Sequence, residues 1–88
     1  MRKQKTIHND QYQYLLEQLC LERKRLGLSQ YEVGTKMGMS QSEISKIETG
    51  ERRVDVMEFK KIISIYRVAE NEKLNNLVVG FFELGHHS

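Results

Sequence analysis

The sequence predicts an all-α domain, and three features of its 88 residues point to that class. Proline is absent and only 6 residues are glycine, so few positions break a helix. Apolar residues recur at helical spacing along most of the chain. Three Ser or Asp residues are each followed by Glu three positions later, a pattern typical of helix N-termini. Together these features predict five helices joined by short connections.

The first helix is predicted over residues 10–26. Its apolar positions recur on one helix face, and Gly27 can adopt the left-handed conformation that ends a helix. These positions are Tyr12, Leu15, Leu16, Leu19, Cys20 and Leu26. Residues 1–11 carry three basic and few apolar side chains, which predicts a flexible basic arm. The basic residues are Arg2, Lys3 and Lys5.

Two short helices with the same opening chemistry follow, predicted over residues 30–37 and 41–49. Their capping pairs are Ser29 with Glu32 and Ser40 with Glu43. Gly38 and Gly50 can end the two helices, and only Gly38 and Met39 separate them. Gly34 is small enough for two backbones to approach closely. The pattern is therefore typical of two helices that cross at a steep angle.

The last two helices follow from a third capping pair and a dense apolar segment. Asp55 and Glu58 begin a fourth helix, whose predicted inner face is Val56, Phe59, Ile62, Ile63 and Tyr66. A fifth helix is predicted over residues 71–84, where seven apolar residues exceed one core-facing stripe. Val79 and Phe82 are therefore candidates for a dimer interface. The predicted domain spans residues 12–84, and residues 85–88 form a tail.

The outer face of the third helix is polar, short and nearly uncharged. It consists of Gln41, Ser42, Ser45, Lys46 and Thr49. Side chains of this kind can hydrogen-bond base edges in the major groove of DNA. The alternative is a merely solvated helix surface.

The run LGLSQYEVGTKMGMSQSEISKIETGERR resembles the helix-turn-helix of the phage repressor and Cro family of bacterial and phage regulators. Members carry Gly-Leu-Ser-Gln before the second helix, found here at residues 27–30. They also carry Ile-Ser-x-Ile-Glu-x-Gly at the end of the recognition helix, found here at residues 44–50. The resemblance implies a five-helix, lambda-repressor-like domain, with its helix-turn-helix at helices 2 and 3, that binds double-stranded operator DNA as a homodimer.

The resemblance also implies roles for individual residues. The base contacts are Gln41, Ser42, Ser45 and Lys46, since Gln can pair with adenine and Lys with guanine. The phosphate contacts are Gln30, Ser40, Thr49, Arg52 and Arg53. The basic residues Arg2, Lys3 and Lys5 resemble the tails that some members wrap around the duplex. Arg23 and Glu48 match an internal salt bridge of the family and are expected to be structural.

The chain departs from the family pattern at two informative positions. Gly34 stands where Ala is commoner, and Arg67 stands where a glycine usually ends the fourth helix. The fifth helix is also longer than the family minimum. The resemblance therefore leaves the connection after helix 4 and the dimer geometry open.

The charges are distributed unevenly along the chain. Residues 1–25 sum to +3, residues 26–53 to 0 and residues 54–88 to −1, giving the overall +2. Within the motif Glu32, Glu43 and Glu48 are assigned to caps or to the salt bridge, which leaves Lys46, Arg52 and Arg53 for DNA. The balance of charge is therefore compatible with a nucleic-acid partner.

Other function classes find little support in the sequence. His8, His86 and His87 lie near the ends without further ligands at metal-binding spacing, so no metal or other cofactor is expected. The sequence contains neither a nucleophile paired with a base nor a phosphate-cradling loop, so an enzyme is not expected. No small-molecule ligand is evident. Without an 18-residue apolar run or a signal peptide, a cytoplasmic protein with no membrane association is expected.

Two functions remain open at this point. The first is a sequence-specific transcriptional regulator that binds an inverted repeat as a homodimer and is expected to repress transcription. The second is a protein-interaction module, such as an antitoxin or anti-repressor, that acts through the apolar fifth helix. Both use the same fold, so the sequence alone does not separate them.

Overall fold

Five α-helices and one short 3₁₀ helix follow one another in the computed structural model, which describes the backbone of residues 3–83 and the side chains of residues 10–83. The helices are α1 (Lys3–Arg25), α2 (Gln30–Met37), α3 (Gln41–Thr49), α4 (Val56–Ile65) and α5 (Glu72–Phe82), with the 3₁₀ helix Val68–Glu70 between the last two. The all-α class and the predicted helix order are confirmed. The described part of the chain contains no strand.

The starts and ends of the central helices are determined by local hydrogen bonds. The predicted capping pairs form reciprocal bonds, so that α2, α3 and α4 each begin with a complete capping box. Gly38 and Gly50 end α2 and α3 with φ angles of 73° and 87°. Only glycine adopts this left-handed conformation without steric cost, which explains why both helices stop where predicted.

The first helix is longer than predicted. It runs from Lys3 rather than from residue 10, so residues 3–11 are helical where the sequence predicts a flexible arm. The chain has neither Pro nor Gly before Gly27, so no residue there interrupts a helix. Arg2 and the side chains of Lys3 and Lys5 lie outside the described residues, as does the predicted tail 85–88.

A single apolar core joins all five helices. Its buried members are Leu15, Leu19, Val33, Met37, Ile44, Ile62, Tyr66, Val68 and Leu74. The predicted inner face of α4 is correct at Ile62 and Tyr66, whereas Val56 is 76% exposed. Val56 is the first residue of α4, and the helix reaches the core only from Phe59 onward.

The connection between α4 and α5 uses an arginine where the family usually has a glycine. Arg67 has φ 51° and ψ 48° in the left-handed region, and the 3₁₀ helix follows directly. α5 then begins after Asn71, whose Oδ1 accepts from the backbone N–H of Leu74 at 3.2 Å. The Nδ2 of Asn71 donates to Glu22 of α1 at 3.0 Å. One side chain therefore caps α5 and fastens it to α1.

Among the described residues, no helix combines the length and the apolar character needed to cross a membrane.

Candidate nucleic-acid interface

Helices α2 and α3 approach each other closely at Gly34. A Cβ atom at this position would lie 2.6 Å from the carbonyl oxygen of Met39, so any larger residue requires the turn to move. The backbone N–H of Met39 donates to the carbonyl of Gly34 at 2.8 Å, which holds the turn against α2. The predicted close approach is thereby confirmed, and α3 is held rigidly against α2.

The outer face of α3 presents the predicted polar side chains to solvent. Gln41, Ser42 and Lys46 are exposed and Ser45 is half-buried, while Ile44 and Ile47 on the opposite face are buried. Gln41 and Lys46 are five residues apart, about 7.5 Å along the helix axis. Successive bases on one strand are about 3.4 Å apart. The axial separation of the two residues is therefore about twice the rise between stacked bases.

A buried ion pair joins α3 to the first helix. Arg23 Nε donates to Glu48 Oε2 at 2.6 Å, and the two side chains are only 8% and 13% exposed. Arg23 Nη1 also donates to the carbonyl of Leu28 at 2.8 Å, in the loop before α2. The predicted structural salt bridge is confirmed. It fixes α3 relative to both α1 and the start of α2.

The Glu48 carboxylate is also linked by hydrogen bonds to two of the predicted DNA-contacting residues. Glu48 Oε1 accepts from Gln30 Nε2 at 2.9 Å, and Gln30 Oε1 accepts from Gln41 Nε2 at 3.3 Å. An ionised carboxylate only accepts hydrogen bonds, so it directs the amide N–H of Gln30 inward and the oxygen outward. The two glutamines therefore have defined amide orientations. No local pattern in the sequence indicates this contact.

Besides Gln30, three further predicted phosphate contacts are hydrogen-bonded within the protein. The hydroxyl of Ser40 accepts from the backbone N–H of Glu43 at 3.1 Å, and that of Thr49 donates to the carbonyl of Lys46 at 3.1 Å. Arg52 donates from Nη1 and Nη2 to Glu58, each at 3.0 Å. The guanidinium holds the pKa of that carboxyl below its ordinary value. Arg52 therefore also has a structural role in fixing the loop before α4.

Arg53 is held differently from its neighbour. Its guanidinium carbon lies 5.2 Å from the centre of the Tyr12 ring, within the range of a cation–π contact. Arg53 itself is exposed. The sequence did not indicate a contact with Tyr12, because the two residues come from different elements. Of the two arginines, Arg53 keeps its charge at the surface without a carboxylate partner among the described residues.

The predicted dimer residues lie on an exposed part of α5. Val79 is 58% exposed and Phe82 is 51% exposed. The ring of Phe82 packs against Phe59 of α4 and against Phe81, with both pairs of ring centres 5.1 Å apart. At the start of α4, Met57 is also exposed rather than buried in the core. The surplus of apolar residues predicted for this end of the molecule is therefore present at its surface.

Other kinds of site are poorly represented in the described part of the chain. No three side chains among His, Cys, Asp and Glu come together there as a metal site requires. Cys20 is partly buried beside Arg23 and Glu48, as expected for a residue on the apolar face of α1.

The chain was found to match a protein family: a family model described as Helix-turn-helix matches residues 21–73, which is 53 of the 88 residues. The matched region extends from the last residues of α1 to the start of α5 and contains the α2–α3 pair. No curated protein and no solved structure matches the chain.

Proposed function

Because the chain belongs to the helix-turn-helix family of phage repressor and Cro-like DNA-binding transcription regulators, we propose that it is a repressor. It binds an inverted-repeat operator in the cytoplasm as a homodimer, with α3 in the major groove. Repression follows where the operator overlaps a promoter, because the bound protein then blocks the polymerase.

The exposed polar face of α3 is the observation that carries this proposal. The outer face of this helix carries Gln41, Ser42, Ser45 and Lys46, and a buried ion pair holds the helix in place. Gln41 directs one amide N–H toward Gln30, which leaves its oxygen and its second N–H for a base. This pairing of one acceptor with one donor fits the N6 and N7 edge of adenine.

Selection of bound sites from a random pool of duplexes tests the function directly. We expect an enriched inverted repeat whose half-sites are about 34 Å apart, one turn of DNA, because a two-fold axis relates the two recognition helices. Gln41→Ala and Lys46→Ala should each lower operator affinity, since a good base pairing contributes roughly 1–3 kcal/mol of discrimination. Their melting curves should remain near that of the wild type.

The matched control for these variants is Lys36→Ala, which removes one exposed charge from α2. It should leave the base preference unchanged. An equal loss of affinity on every DNA sequence for Gln41→Ala would contradict base recognition by that residue.

The phosphate contacts proposed are Gln30, Ser40, Thr49, Arg52 and Arg53, together with the basic residues Arg2, Lys3 and Lys5 at the start of the chain. Contacts to phosphate carry no sequence information. Replacing Arg53 should weaken binding to all DNA alike and reduce the salt slope by about one. Arg52→Ala should have a smaller effect on the salt slope, since Glu58 offsets its charge.

Dimerisation is proposed through α5, on the exposed residues Val79 and Phe82. A charged side chain at either position would be desolvated in an interface but tolerated at a free surface. We expect Val79→Glu to shift the sedimentation coefficient to that of a monomer at concentrations where the wild type is dimeric. Tyr31→Glu, at an exposed position on α2, is the control. An unchanged sedimentation coefficient for Val79→Glu excludes this surface as the interface.

The alternative function uses the same surface for another protein. The exposed apolar residues of α5 would also suit an antitoxin or anti-repressor. Failure to enrich any DNA sequence, combined with a tight complex with a second protein that Val79→Glu abolishes, would favour this alternative.

A further inference from the structure

A small cleft lies where the N-terminal half of α1 passes the end of α3. It has a volume of about 300 Å³ and is lined by Tyr12, Gln13, Thr49, Gly50 and Arg53. Two of these residues belong to α1, and the other three belong to the end of α3 and the loop that follows it. None carries a carboxylate. Gln13 and Arg53 present hydrogen-bond donors at the surface, whereas the hydroxyl of Tyr12 is buried and that of Thr49 donates to the carbonyl of Lys46. The available donors of the cleft therefore come from α1 and from the loop after α3.

The side chain of Gln13 lies directly over the glycine that ends α3. A Cβ atom at Gly50 would lie 3.3 Å from Cδ of Gln13 and would overlap its Oε1. Glycine is favoured at this position by the φ of 87°, whereas the flexible Gln13 side chain can move to make room for a Cβ atom. Gln13 is exposed, so its amide lies at the end of α3 and is accessible to a ligand.

The positive charge of the cleft comes from Arg53. Its guanidinium rests over the ring of Tyr12 at 5.2 Å, a contact that directs it toward α1. The carboxyl end of a helix carries about half a negative charge, which would disfavour an anion. Here the N–H of Gly50 already donates to the carbonyl of Ile47 at 3.1 Å. The full charge of Arg53 therefore outweighs what remains of the helix dipole.

On the basis of the proposed function, we propose that this cleft binds a phosphate of the DNA backbone and that Gln13 of α1 contacts it. Arg, Gln, Thr and Tyr side chains are among the groups that contact phosphates in protein–DNA complexes. A contact from α1 at this point holds the end of the recognition helix against the duplex, which sets how deeply α3 enters the groove. Tyr12 is a positioning residue that orients Arg53.

Operator duplexes with single uncharged methylphosphonate linkages test the proposal. For the wild type, one linkage near the end of α3 should lower affinity about tenfold, the effect of losing one charged contact. The same linkage should have little further effect on Arg53→Ala, because that variant has already lost the charged contact, and a smaller effect on Gln13→Ala than on the wild type, because that variant keeps only the contact from Arg53. Gln18→Ala, a second glutamine of α1 that lies in the groove toward α5, should respond like the wild type.

A second variant separates a phosphate contact from a structural role. Gln13→Glu keeps the size of the side chain but places a negative charge in the cleft. It should weaken binding to the operator and to random duplex by the same factor, without a change in circular dichroism or melting temperature. Operator binding by Gln13→Glu equal to that of the wild type overturns the proposal. The proposal is also overturned if the loss of affinity caused by Gln13→Ala adds fully to the loss caused by a methylphosphonate linkage at every position.

The outcomes also distinguish this inference from the proposed function. If the wild type enriches no DNA sequence and binds no duplex, the proposed function fails and the phosphate site fails with it. If the wild type binds its operator but Gln13 variants behave normally, only the cleft is rejected.

Discussion

Arg23 Nε donates to Glu48 Oε2 at 2.6 Å, and both side chains are about nine-tenths buried. The two residues are 25 positions apart and belong to the first and third helices. Arg23 also donates to the carbonyl of Leu28 in the loop before α2. Glu48 also accepts from Gln30, a predicted DNA-contacting residue. The orientation of the recognition helix thus depends on one ion pair beneath it.

Removing one partner of this pair should destabilise the protein strongly. Arg23→Met leaves Glu48 without its cation, and we expect a loss of about 2–4 kcal/mol, slightly below that of a fully buried pair. The double variant Arg23→Met/Glu48→Leu should recover part of this loss, because neither charge then remains unpaired. Urea denaturation of the wild type, Arg23→Met, Glu48→Leu and the double variant measures the coupling. Losses that simply add would contradict the pairing.

Asn71 connects the cap of α5 to the buried carboxylate of Glu22. Asn71→Asp keeps the capping oxygen but replaces the donated N–H with a second carboxylate. A hydrogen bond to a charged group contributes about 1.5–3 kcal/mol, so we expect a loss of at least that size at pH 7. This loss of stability relative to the wild type should become smaller as the pH falls toward 4, because one of the two carboxyls becomes protonated.

Asn71→Ser is the control for that experiment. It retains a capping oxygen and replaces the amide N–H that reaches Glu22 with a shorter hydroxyl, without adding charge. Its deficit relative to the wild type should narrow less on acidification than that of Asn71→Asp. Equal pH dependence of the two variants, measured by thermal unfolding between pH 7 and pH 4, would exclude charge repulsion with Glu22.

The Arg52–Glu58 pair should contribute to acid sensitivity. The hydrogen bonds from Arg52 and from the backbone N–H of Asp55 lower the pKa of Glu58 below its ordinary 4.5. A carboxyl with a lowered folded pKa stabilises the protein above its unfolded pKa, and this contribution is lost as the pH falls through the folded value. Glu58→Gln should therefore flatten the dependence of melting temperature on pH below about 4.5. An unchanged acid profile would contradict this contribution.

Gly34 should tolerate no branched side chain. Gly34→Val places new carbon atoms against the carbonyl of Met39, which belongs to the backbone and moves only with the turn. Overpacking of this kind costs about 1–3 kcal/mol. Gly80→Ala is the opposite case, because a Cβ there meets nothing within 4 Å. It should stabilise α5 by up to about 0.5–1 kcal/mol. Chemical denaturation should show opposite signs for the two variants.

Features determined by neighbouring residues were predictable from the sequence. The boundaries of α2 and α3 and the three capping boxes depend on groups three or four positions apart, which a linear pattern displays. The Arg23–Glu48 pair was also expected, but from the family resemblance, because no local rule connects residues 25 positions apart.

Features that depend on how the elements pack were not predictable in the same way. Residues 3–11 continue α1, and Val56 and Met57 are exposed despite their apolar side chains. Arg67 adopts the left-handed conformation that the family usually gives to glycine. An apolar spacing identifies a helix face but not how much of that face its neighbours cover.

The order of the five helices, the helix-turn-helix and the polar face of α3 follow from the sequence, because capping, turn chemistry and periodicity act over a few residues. The side chains of α3 and its surroundings that are already hydrogen-bonded within the protein are known only from the way the helices pack. Arg52 is bound to Glu58, Arg53 rests on Tyr12, and Gln41 is tied through Gln30 to Glu48. These contacts join distant parts of the chain, and they form only when the shared core brings the helices together.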